Sequence, residues 1–268
     1  MKIAFIGGGI MGEALIKSLI ARGVAASKDI TVSDVSQKRR DVLKKSYGVK
    51  TTAHNLEAAK KADVIVLAVK PQDIAAVLHE LKGLSSKQLV LSIAAGVTMD
   101  TLHQGLNHNC LVRAMPNMPA QIGEGMTVWT ASAGVSQKQK DIAKSILSAS
   151  GEELYVNNEK YIDMATALSG SGPAYVFLVI EALTDAGVHI GLPRDTAEKL
   201  VIETIIGSAK AVKTLAKHPA ELKNMVTSPG GTTTEGILQL ETGGLRSLLL
   251  RAVIAAYDKA KSLGTKKE

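Results

Sequence analysis

The chain has 268 residues, of which 46% are hydrophobic, 21% are charged and 3% are aromatic, and its formal net charge is +7. This length allows one large or two modest domains, and the scarcity of aromatic residues means that Ala, Val, Ile and Leu must supply the core. The single cysteine, Cys110, excludes an internal disulfide and a cysteine-based zinc site. The basic residues are scattered among 25 acidic ones without interleaved aromatics, which argues against nucleic-acid binding and favours anionic cofactors and substrates.

The expected cellular location follows from what the sequence lacks. The N-terminal apolar run is short and is broken by glycines, unlike a signal peptide. No stretch approaches the roughly 20 apolar residues of a membrane span, and a lone cysteine is typical of a reducing compartment. We therefore expect a cytoplasmic protein that binds neither a membrane nor a metal, with Cys110 as a buried structural residue.

The first part of the chain alternates predicted strands with predicted helices. Short apolar runs predict strands at Lys2–Ile6, Ile30–Val32, Asp63–Val69, Leu89–Ile93, Leu111–Arg113 and Gly125–Trp129. Helical periodicity predicts helices at Glu13–Arg22, Ser36–Tyr47, Pro71–Leu81, Thr98–Leu106 and Ser136–Ser148. This alternation predicts an α/β fold with a Rossmann-type, doubly wound parallel sheet, which we assign to residues 1–157.

Beyond residue 157 no convincing strand pattern is present. Helical runs are separated by turns rich in glycine, serine and proline, such as Ser169–Pro173 and Ser228–Gly231. Residues 158–268 are therefore predicted to form a second, all-α domain.

A glycine-rich loop lies between the first predicted strand and the first predicted helix. Gly7, Gly9 and Gly12 have the Gly-x-Gly-x-x-Gly spacing of a dinucleotide-binding loop. The first glycine allows the tight turn, the second lets a pyrophosphate approach the backbone, and the third lets the helix pack closely on the strand. Amides and dipole at the helix N-terminus would then bind the phosphates.

The residues after the second strand give conflicting indications of the cofactor. Asp34 stands about 20 residues after the last glycine, where an acid binds the ribose 2′-hydroxyl of NAD and repels a 2′-phosphate. Lys38, Arg39 and Arg40 follow closely and are equally consistent with a bound 2′-phosphate or with a solvated helix face. Both NADH and NADPH therefore remain open.

Ligands of a parallel sheet collect beyond the carboxyl ends of its strands. Three segments occupy such positions, namely Ala68–Pro71, Ala94–Gly96 and Met115–Asn117. The small residues of Ala94–Gly96 would let the backbone lie against a flat ring, and Asn117 is a candidate contact for a carboxamide or a substrate. Lys70 is either a general acid or a surface lysine.

Two loops of the second domain precede helices and are either small-anion sites or ordinary capped turns. They are Ser169–Pro173, in which Ser171 or Gly172 would cap the next helix, and Ser228–Thr234. The six histidines form no motif, whereas a dehydrogenase of a simple alcohol usually needs a proton relay. A substrate that needs little proton transfer, such as a cationic iminium, fits this absence.

Motifs along nearly the whole chain resemble those of the pyrroline-5-carboxylate reductase family, which catalyses the last step of proline biosynthesis. These motifs are Phe5-Ile6-Gly7-x-Gly9-x-Met11, Ala68-Val69-Lys70-Pro71, Ala94-Ala95-Gly96-Val97, Arg113-x-Met115-Pro116-Asn117, Leu168-Ser169-Gly170-Ser171-Gly172-Pro173-Ala174-Tyr175, and His218-Pro219 with Ser228-Pro229-Gly230-Gly231-Thr232-Thr233. The last two loops are highly specific in combination.

The resemblance implies that the protein reduces 1-pyrroline-5-carboxylate to L-proline by hydride transfer from NAD(P)H. It implies that the first domain binds the cofactor. The all-α domain would bind substrate and exchange helices with a partner in an obligate homodimer, often assembled further into a decamer.

The resemblance also assigns site residues. Thr166 matches a threonine near the ring nitrogen, where it would orient the substrate or deliver a proton, and the carboxylate would bind at Gly231, Thr232 and Thr233, with Ser171 in the second substrate loop. Cofactor contacts would be Ile6, Gly7, Gly8, Gly9, Ile10, Met11, Asn55, Ala68, Val69, Lys70, Pro71, Ala94, Ala95 and Gly96, together with Asp34 from the fingerprint. Members that prefer NADPH typically carry small or basic residues where Asp34 stands, so the preference stays open.

Two other functions are compatible with part of the pattern. A β-hydroxyacid dehydrogenase would need a lysine acid–base after the domain boundary, and the nearest candidate, Lys160, lacks the expected spacing. A redox sensor would bind NAD(P)H without forming proline.

Overall fold

The computed structural model describes residues 1–264, which form two compact units. The first comprises Met1–Ser171 with the C-terminal segment from Ala256, and the second comprises Gly172–Ala255. Residues 265–268, at the end of the predicted second domain, lie outside the described residues.

The described elements are strands β1–β8 and helices α1–α12. The strands are β1 (Ile3–Ile6), β2 (Ile30–Ser33), β3 (Lys50–Thr52), β4 (Val64–Leu67), β5 (Leu89–Ser92), β6 (Leu111–Met115), β7 (Gly125–Ala131) and β8 (Gly151–Tyr155). The helices are α1 (Ile10–Ala21), α2 (Gln37–Tyr47), α3 (Asn55–Ala59), α4 (Ile74–Glu80), α5 (Met99–Leu106), α6 (Gln137–Ser148), α7 (Lys160–Ala165), α8 (Gly172–His189), α9 (Arg194–Leu215), α10 (Pro219–Met225), α11 (Thr232–Thr242) and α12 (Leu245–Gly264).

The eight strands form one sheet in the order β3-β2-β1-β4-β5-β6-β7-β8. Strands β1 to β6 are parallel and include the Rossmann order, which confirms the predicted fold class. The sheet is not parallel throughout, because β7 is antiparallel to β6 and β8 follows the direction of β7. The elements β3, α3 and β8 were not predicted; β3, Lys-Thr-Thr at the sheet edge, carries no apolar pattern.

The apolar strands are buried on both faces of the sheet, as continuous apolar runs predict. In β4, Val64 and Val66 belong to one core cluster, whereas Ile65 and Leu67 belong to the cluster on the opposite face. Alternate residues of a strand point to opposite faces, so both layers of helices have an apolar surface to cover. The sheet is thereby a rigid base for the loops at its edge.

The strand register brings the carboxyl ends of four central strands into line. Ile6, the last residue of β1, pairs with Ser33 and Leu67, the last residues of β2 and β4, and Leu67 pairs with Ser92 at the end of β5. Residues that directly follow these strands therefore lie side by side at one edge of the sheet.

The first compact unit extends beyond the predicted boundary after residue 157. Helix α7 packs on this unit because Arg113 of β6 forms ion pairs with Glu159 and Asp163. The N-terminal stretch of this unit ends at Ser171. The division into domains at residue 157 stays a prediction.

Helices of the second unit expose many large apolar side chains. In α8 these include Phe177 and Leu178, which are 47% and 64% exposed. By length and composition alone, the helical run Lys160–His189 is long and apolar enough to cross a membrane, with a mean hydropathy of 1.3 over an 18-residue stretch that is 6% buried. The expectation that no stretch reaches this length was therefore wrong. Within the unit, α8 and α9 approach closely, since a Cβ on Gly187 would lie 2.9 Å from Cβ of Ala197.

Candidate active site

Of the four glycines at the β1–α1 connection, only Gly9 is open, and a Cβ on Gly8 would lie 2.5 Å from Cδ1 of Leu43. Gly7 has φ +96°, and a Cβ there would lie 2.7 Å from the Ala68 carbonyl oxygen. A Cβ on Gly12 would lie 2.8 Å from the Gly7 carbonyl oxygen, whereas one on Gly9 would meet no atom within 4 Å. Gly7 and Gly12 therefore permit close packing, and Gly9 leaves space over the loop.

This space faces the N-terminus of α1. Gly9 is the N-cap and carries no side chain that could bond the first-turn amides, which have no partner within the helix itself. Ile10 is exposed and Met11 is half-buried in this turn. Amide donors, a positive dipole end and open space are what the pyrophosphate of a dinucleotide requires, so the residues fit this cofactor.

Asp34 is held directly beside the loop. Its Oδ2 accepts a hydrogen bond from the Gly8 amide at 2.9 Å, and its Oδ1 accepts one from the Ser36 amide at 2.8 Å. An ionised carboxylate has about four acceptor positions, so two remain for other donors. The side chain therefore both shapes the loop and can accept ribose hydroxyls.

Two of the three neighbouring basic residues bond within the protein. The Arg39 guanidinium donates to the Gly8 carbonyl and to Glu13, and Arg40 donates to the Asp34 carbonyl oxygen. Burial works to raise the pKa of Glu13, but hydrogen bonds from Arg39 and Tyr47 outweigh it and leave the pKa below its ordinary value. Glu13 thus stays ionised and neutralises Arg39. Lys38 is exposed on α2.

The predicted segments after β4 and β5 lie at the same edge. The Ala68 amide donates to the Ile6 carbonyl at 2.8 Å, so Ala68–Pro71 begins next to the glycine loop. Lys70 is exposed, and its carbonyl accepts from the Asp73 amide at 3.0 Å. In Ala94–Gly96, Gly96 has φ +72°, and a Cβ there would lie 2.7 Å from Cβ of Leu263 in α12. The end of α12 therefore packs on this loop.

Two asparagines at this edge are bonded to the protein. Asn55 accepts from the Ser33 hydroxyl at 2.6 Å and donates to Glu80 at 2.7 Å. Asn117 donates to the Ser169 carbonyl at 3.0 Å and accepts from the Met126 amide at 2.8 Å. Asn117 therefore connects backbone segments, and its expected contact with a carboxamide or a substrate stays a prediction.

The segment Thr166–Gly170 between α7 and α8 is a π-helical turn, which the sequence did not predict. The Thr166 hydroxyl donates to the Ile162 carbonyl at 2.8 Å. The Thr166 carbonyl accepts from the Ser171 amide at 2.8 Å and from the Ser171 hydroxyl at 3.1 Å. Ser171 therefore closes the turn behind Thr166. Such π turns occur frequently at functional sites.

The predicted carboxylate loop belongs to the second compact unit. Gly231 is the N-cap of α11, and its amide donates to the Ser228 carbonyl at 3.0 Å. The Thr234 hydroxyl also donates to this carbonyl, at 2.6 Å. Thr232 and Thr233 begin the helix, and the backbone amides of its first turn have no acceptor within the helix.

Several side chains with possible acid–base roles are structural instead. A ring nitrogen of His103 bonds the His108 carbonyl at 2.9 Å, and one of His108 bonds the Gln88 carbonyl at 2.8 Å. His218 caps α10. Cys110 is half-buried, not buried as expected, and its thiol lies 3.3 Å from two backbone carbonyls. Among residues 1–264, no three His, Cys, Asp or Glu side chains cluster as metal ligands.

The sheet order, the open glycine loop and the acid after β2 together define a Rossmann-type dinucleotide-dependent oxidoreductase. Comparison with protein families narrows this class. The model described as pyrroline-5-carboxylate reductase dimerisation matches residues 159–263, and the model described as NADP oxidoreductase coenzyme F420-dependent matches residues 2–96.

Relatives and solved structures agree over the whole chain. The sequence is 45% identical to the pyrroline-5-carboxylate reductase of Synechocystis sp. over 99% of both chains, and 40% identical to that of Escherichia coli over 98% of both. The reductase structure from Coxiella burnetii matches with a TM-score of 0.90 and 41% identity over 99% of both chains. Plasmodium falciparum pyrroline carboxylate reductase with NADP bound matches with a TM-score of 0.91 and 34% identity, over 99% of this chain and 98% of that one.

The chain belongs to the pyrroline-5-carboxylate reductase family. It is an NAD(P)H-dependent oxidoreductase that reduces the cyclic imine 1-pyrroline-5-carboxylate to L-proline, in proline biosynthesis. The predicted family and activity are confirmed. The two alternatives, a β-hydroxyacid dehydrogenase and a non-enzymatic redox sensor, are not supported. Lys160, the lysine that the former would need, lies with its Nζ 5.4 Å from the ring centre of Tyr161.

Proposed function

We propose that the substrate carboxylate binds at Gly231, Thr232 and Thr233, that Thr166 orients the ring nitrogen, and that Ser171, which closes the turn, also contacts the substrate. The observation that carries this proposal is the first turn of α11. It offers backbone amides and threonine hydroxyls behind a glycine N-cap, an arrangement that suits a small anion.

We further propose that the cofactor binds along the edge formed by the glycine loop and the segments after β2, β4 and β5. The proposed contacts are Ile6, Gly7, Gly8, Gly9, Ile10, Met11, Asp34, Asn55, Ala68, Val69, Lys70, Pro71, Ala94, Ala95 and Gly96. When bound, NAD(P)H supplies the hydride. The alignment of these strand ends supports the proposal.

The chain's contribution to the chemistry is mainly positioning. An iminium ring is already cationic at its nitrogen, so its carbon accepts a hydride without a strong general acid. The structural roles of His103 and His108 agree with this view. Thr166 is held by its hydrogen bond to Ile162 at a fixed point of the π turn, which limits the orientations that a bound ring can adopt.

Replacing the two threonines is expected to separate the roles. Thr166→Ala should lower kcat about 10-fold, since one oriented hydrogen bond contributes roughly 0.5–1.5 kcal/mol. Thr233→Ala should mainly raise KM for pyrroline-5-carboxylate by about 10-fold, because the carboxylate is bound equally before and during hydride transfer. Steady-state kinetics at saturating NAD(P)H measure both effects.

Thr204→Ala is the matched control, because the Thr204 hydroxyl makes the same type of bond to the fourth preceding carbonyl, at 2.7 Å. It should leave kcat and KM unchanged. An unchanged kcat for Thr166→Ala would refute the proposed role of Thr166, and an unchanged KM for Thr233→Ala would refute the carboxylate site.

We propose that the enzyme prefers NADH to NADPH. Asp34 places a negative charge beside the glycine loop and retains acceptor positions for ribose hydroxyls. The same charge would repel the 2′-phosphate of NADPH. Two of the three nearby cations are engaged within the protein, since Arg39 is paired with Glu13 and Arg40 donates to the Asp34 carbonyl oxygen. The third, Lys38, is exposed on α2.

Asp34→Ser is expected to raise the ratio of kcat/KM for NADPH to that for NADH by about 100-fold, since juxtaposed like charges cost several kcal/mol. The ratio is measured with both cofactors at saturating pyrroline-5-carboxylate. Asp41→Asn removes one charge from the same helix region and should leave the ratio unchanged, because Asp41 bonds only the neighbouring Gln37 in the described contacts. A wild-type preference for NADPH would overturn the proposal.

We propose a cytoplasmic homodimer that assembles into a decamer and binds neither nucleic acid nor a membrane. The match of residues 159–263 to a dimerisation domain supports the dimer. A partner copy that covers α8 would also account for the apolar run Lys160–His189 without a membrane. Light scattering with the purified enzyme gives the oligomeric state.

A further inference from the structure

Arg113 is a buried cation that the proposed chemistry does not use. It lies in β6, and its side chain is only 2% exposed. Its two terminal nitrogens donate to Glu159 and Asp163, each at 2.7 Å, so that one guanidinium bonds two carboxylates on and beside α7. Within the described residues, the buried Nε has no hydrogen-bond partner. The hydrogen bonds of the guanidinium therefore all go to the two carboxylates.

Glu159 connects this pair to the loop after β5. The oxygen that accepts from Arg113 also accepts from the Met99 amide at 2.7 Å, at the start of α5. Met99 follows closely on Ala94–Gly96, the proposed cofactor wall. One carboxylate therefore fixes the start of α5 relative to β6 and α7.

The other end of the network leads to Thr166. Helix α7 runs from Lys160 directly into the π turn, and the Thr166 hydroxyl is bonded to Ile162 within that helix. The far side of the turn is also attached to the end of β6, through the bond from Asn117 to Ser169. Both ends of the turn are thereby tied to the strand that carries Arg113.

We infer that Arg113 is a positioning residue for hydride transfer, which sets the spacing between the Ala94–Gly96 loop and Thr166 through Glu159 and Asp163. The inference rests on the roles proposed above for Ala94–Gly96 and Thr166. A lysine cannot replace it, since a single ammonium lacks the planar fork that bonds two carboxylates in fixed directions.

The test is Arg113→Lys, which keeps the charge and removes the fork. We expect kcat to fall about 10- to 100-fold, because displacement of a positioned group by about 1 Å can cost 100-fold. KM for pyrroline-5-carboxylate should change less than about threefold, since the carboxylate loop is untouched. Arg246→Lys is the matched control, because Arg246 makes a forked pair with Glu241 on an exposed surface and should leave kcat unchanged.

Two measurements on the cofactor-free enzyme separate positioning from damage to the fold. Emission of Trp129, the single tryptophan, whose Cα pairs with that of Ala114 in β6, should be unchanged if the sheet is intact. Hydrogen exchange should accelerate in residues 97–99 and 160–171 and nowhere else in the first unit. A changed emission, or unchanged exchange in these segments, would overturn the inference.

The double variant Arg113→Lys, Thr166→Ala tests the coupling. If Arg113 acts through Thr166, the combined loss in kcat should equal the larger single loss and not the product of the two. Multiplied losses, or an unchanged kcat in Arg113→Lys, would overturn the inference while the proposed role of Thr166 stands. An unchanged kcat in Thr166→Ala alone would refute the role of Thr166, and the exchange pattern would still decide whether Arg113 holds the two segments.

Discussion

Gly9→Glu is expected to weaken NAD(P)H binding by more than about 100-fold and to leave the fold intact. Gly9 has φ −64°, which any residue adopts, and a Cβ there meets no atom within 4 Å. The new carboxylate would occupy the space over the loop and face the cofactor phosphates, and like charges in contact cost several kcal/mol. Titration of NAD(P)H fluorescence measures the affinity, and thermal unfolding reports the fold.

Gly9→Gln is the matched control, because it adds the same volume without the charge. It should weaken binding less than Gly9→Glu, and the difference isolates the electrostatic part. Gly7→Ala is a contrasting variant that should destabilise the fold itself. The new Cβ would lie 2.7 Å from the Ala68 carbonyl oxygen, and the backbone at this position has φ +96°, which alanine rarely adopts. Normal cofactor affinity in Gly9→Glu would contradict the assignment of this loop.

Leu178→Glu is expected to dissociate the proposed homodimer and to abolish activity in proportion to the monomer fraction. Leu178 is 64% exposed in α8, within the segment that matches a dimerisation domain. Each substitution is present twice in a two-fold interface. If the partner buries Leu178, its loss costs about 1.5–3 kcal/mol per copy, which raises the dissociation constant of the dimer more than about 100-fold. Sedimentation velocity over a range of protein concentrations measures the shift.

Ile122→Glu is the control for added charge on an exposed apolar residue. Ile122 is 76% exposed and lies in the first unit, outside the matched segment. It should leave the sedimentation of the enzyme unchanged. A dimer that persists in Leu178→Glu would show that this face of α8 lies outside the interface.

The sequence predicted those features of the fold that depend on apolar patterning. Asp63–Val69 read as a strand buried on both faces, and the core clusters confirm it for β4. The polar edge strand β3 carries no such pattern and is defined by pairing with β2, which sequence periodicity does not encode. The reversed direction of β7 likewise depends on tertiary pairing with β6.

The candidate site also has a part that the sequence predicted and a part that it did not. The glycine loop was predictable because each glycine has a distinct steric requirement. Arg113 stood in a motif of the sequence analysis, yet its link to Glu159 and Asp163 joins residues 46 and 50 positions apart. The hydrogen bond from Asn117 to the Ser169 carbonyl likewise joins distant parts of the chain and was not predicted. Long-range polar contacts of this kind leave no local signal.

The two hydrogen bonds accepted by Asp34 couple cofactor choice to the integrity of the loop. A serine or asparagine in place of Asp34 offers one acceptor oxygen, where the carboxylate offers two separate oxygens to the Gly8 and Ser36 amides. An engineered switch to NADPH therefore has to supply a replacement acceptor, and the incoming 2′-phosphate is chemically suited to that task. A switched enzyme would consequently have a loop that becomes ordered only when its cofactor is present, whereas the natural loop is ordered in advance.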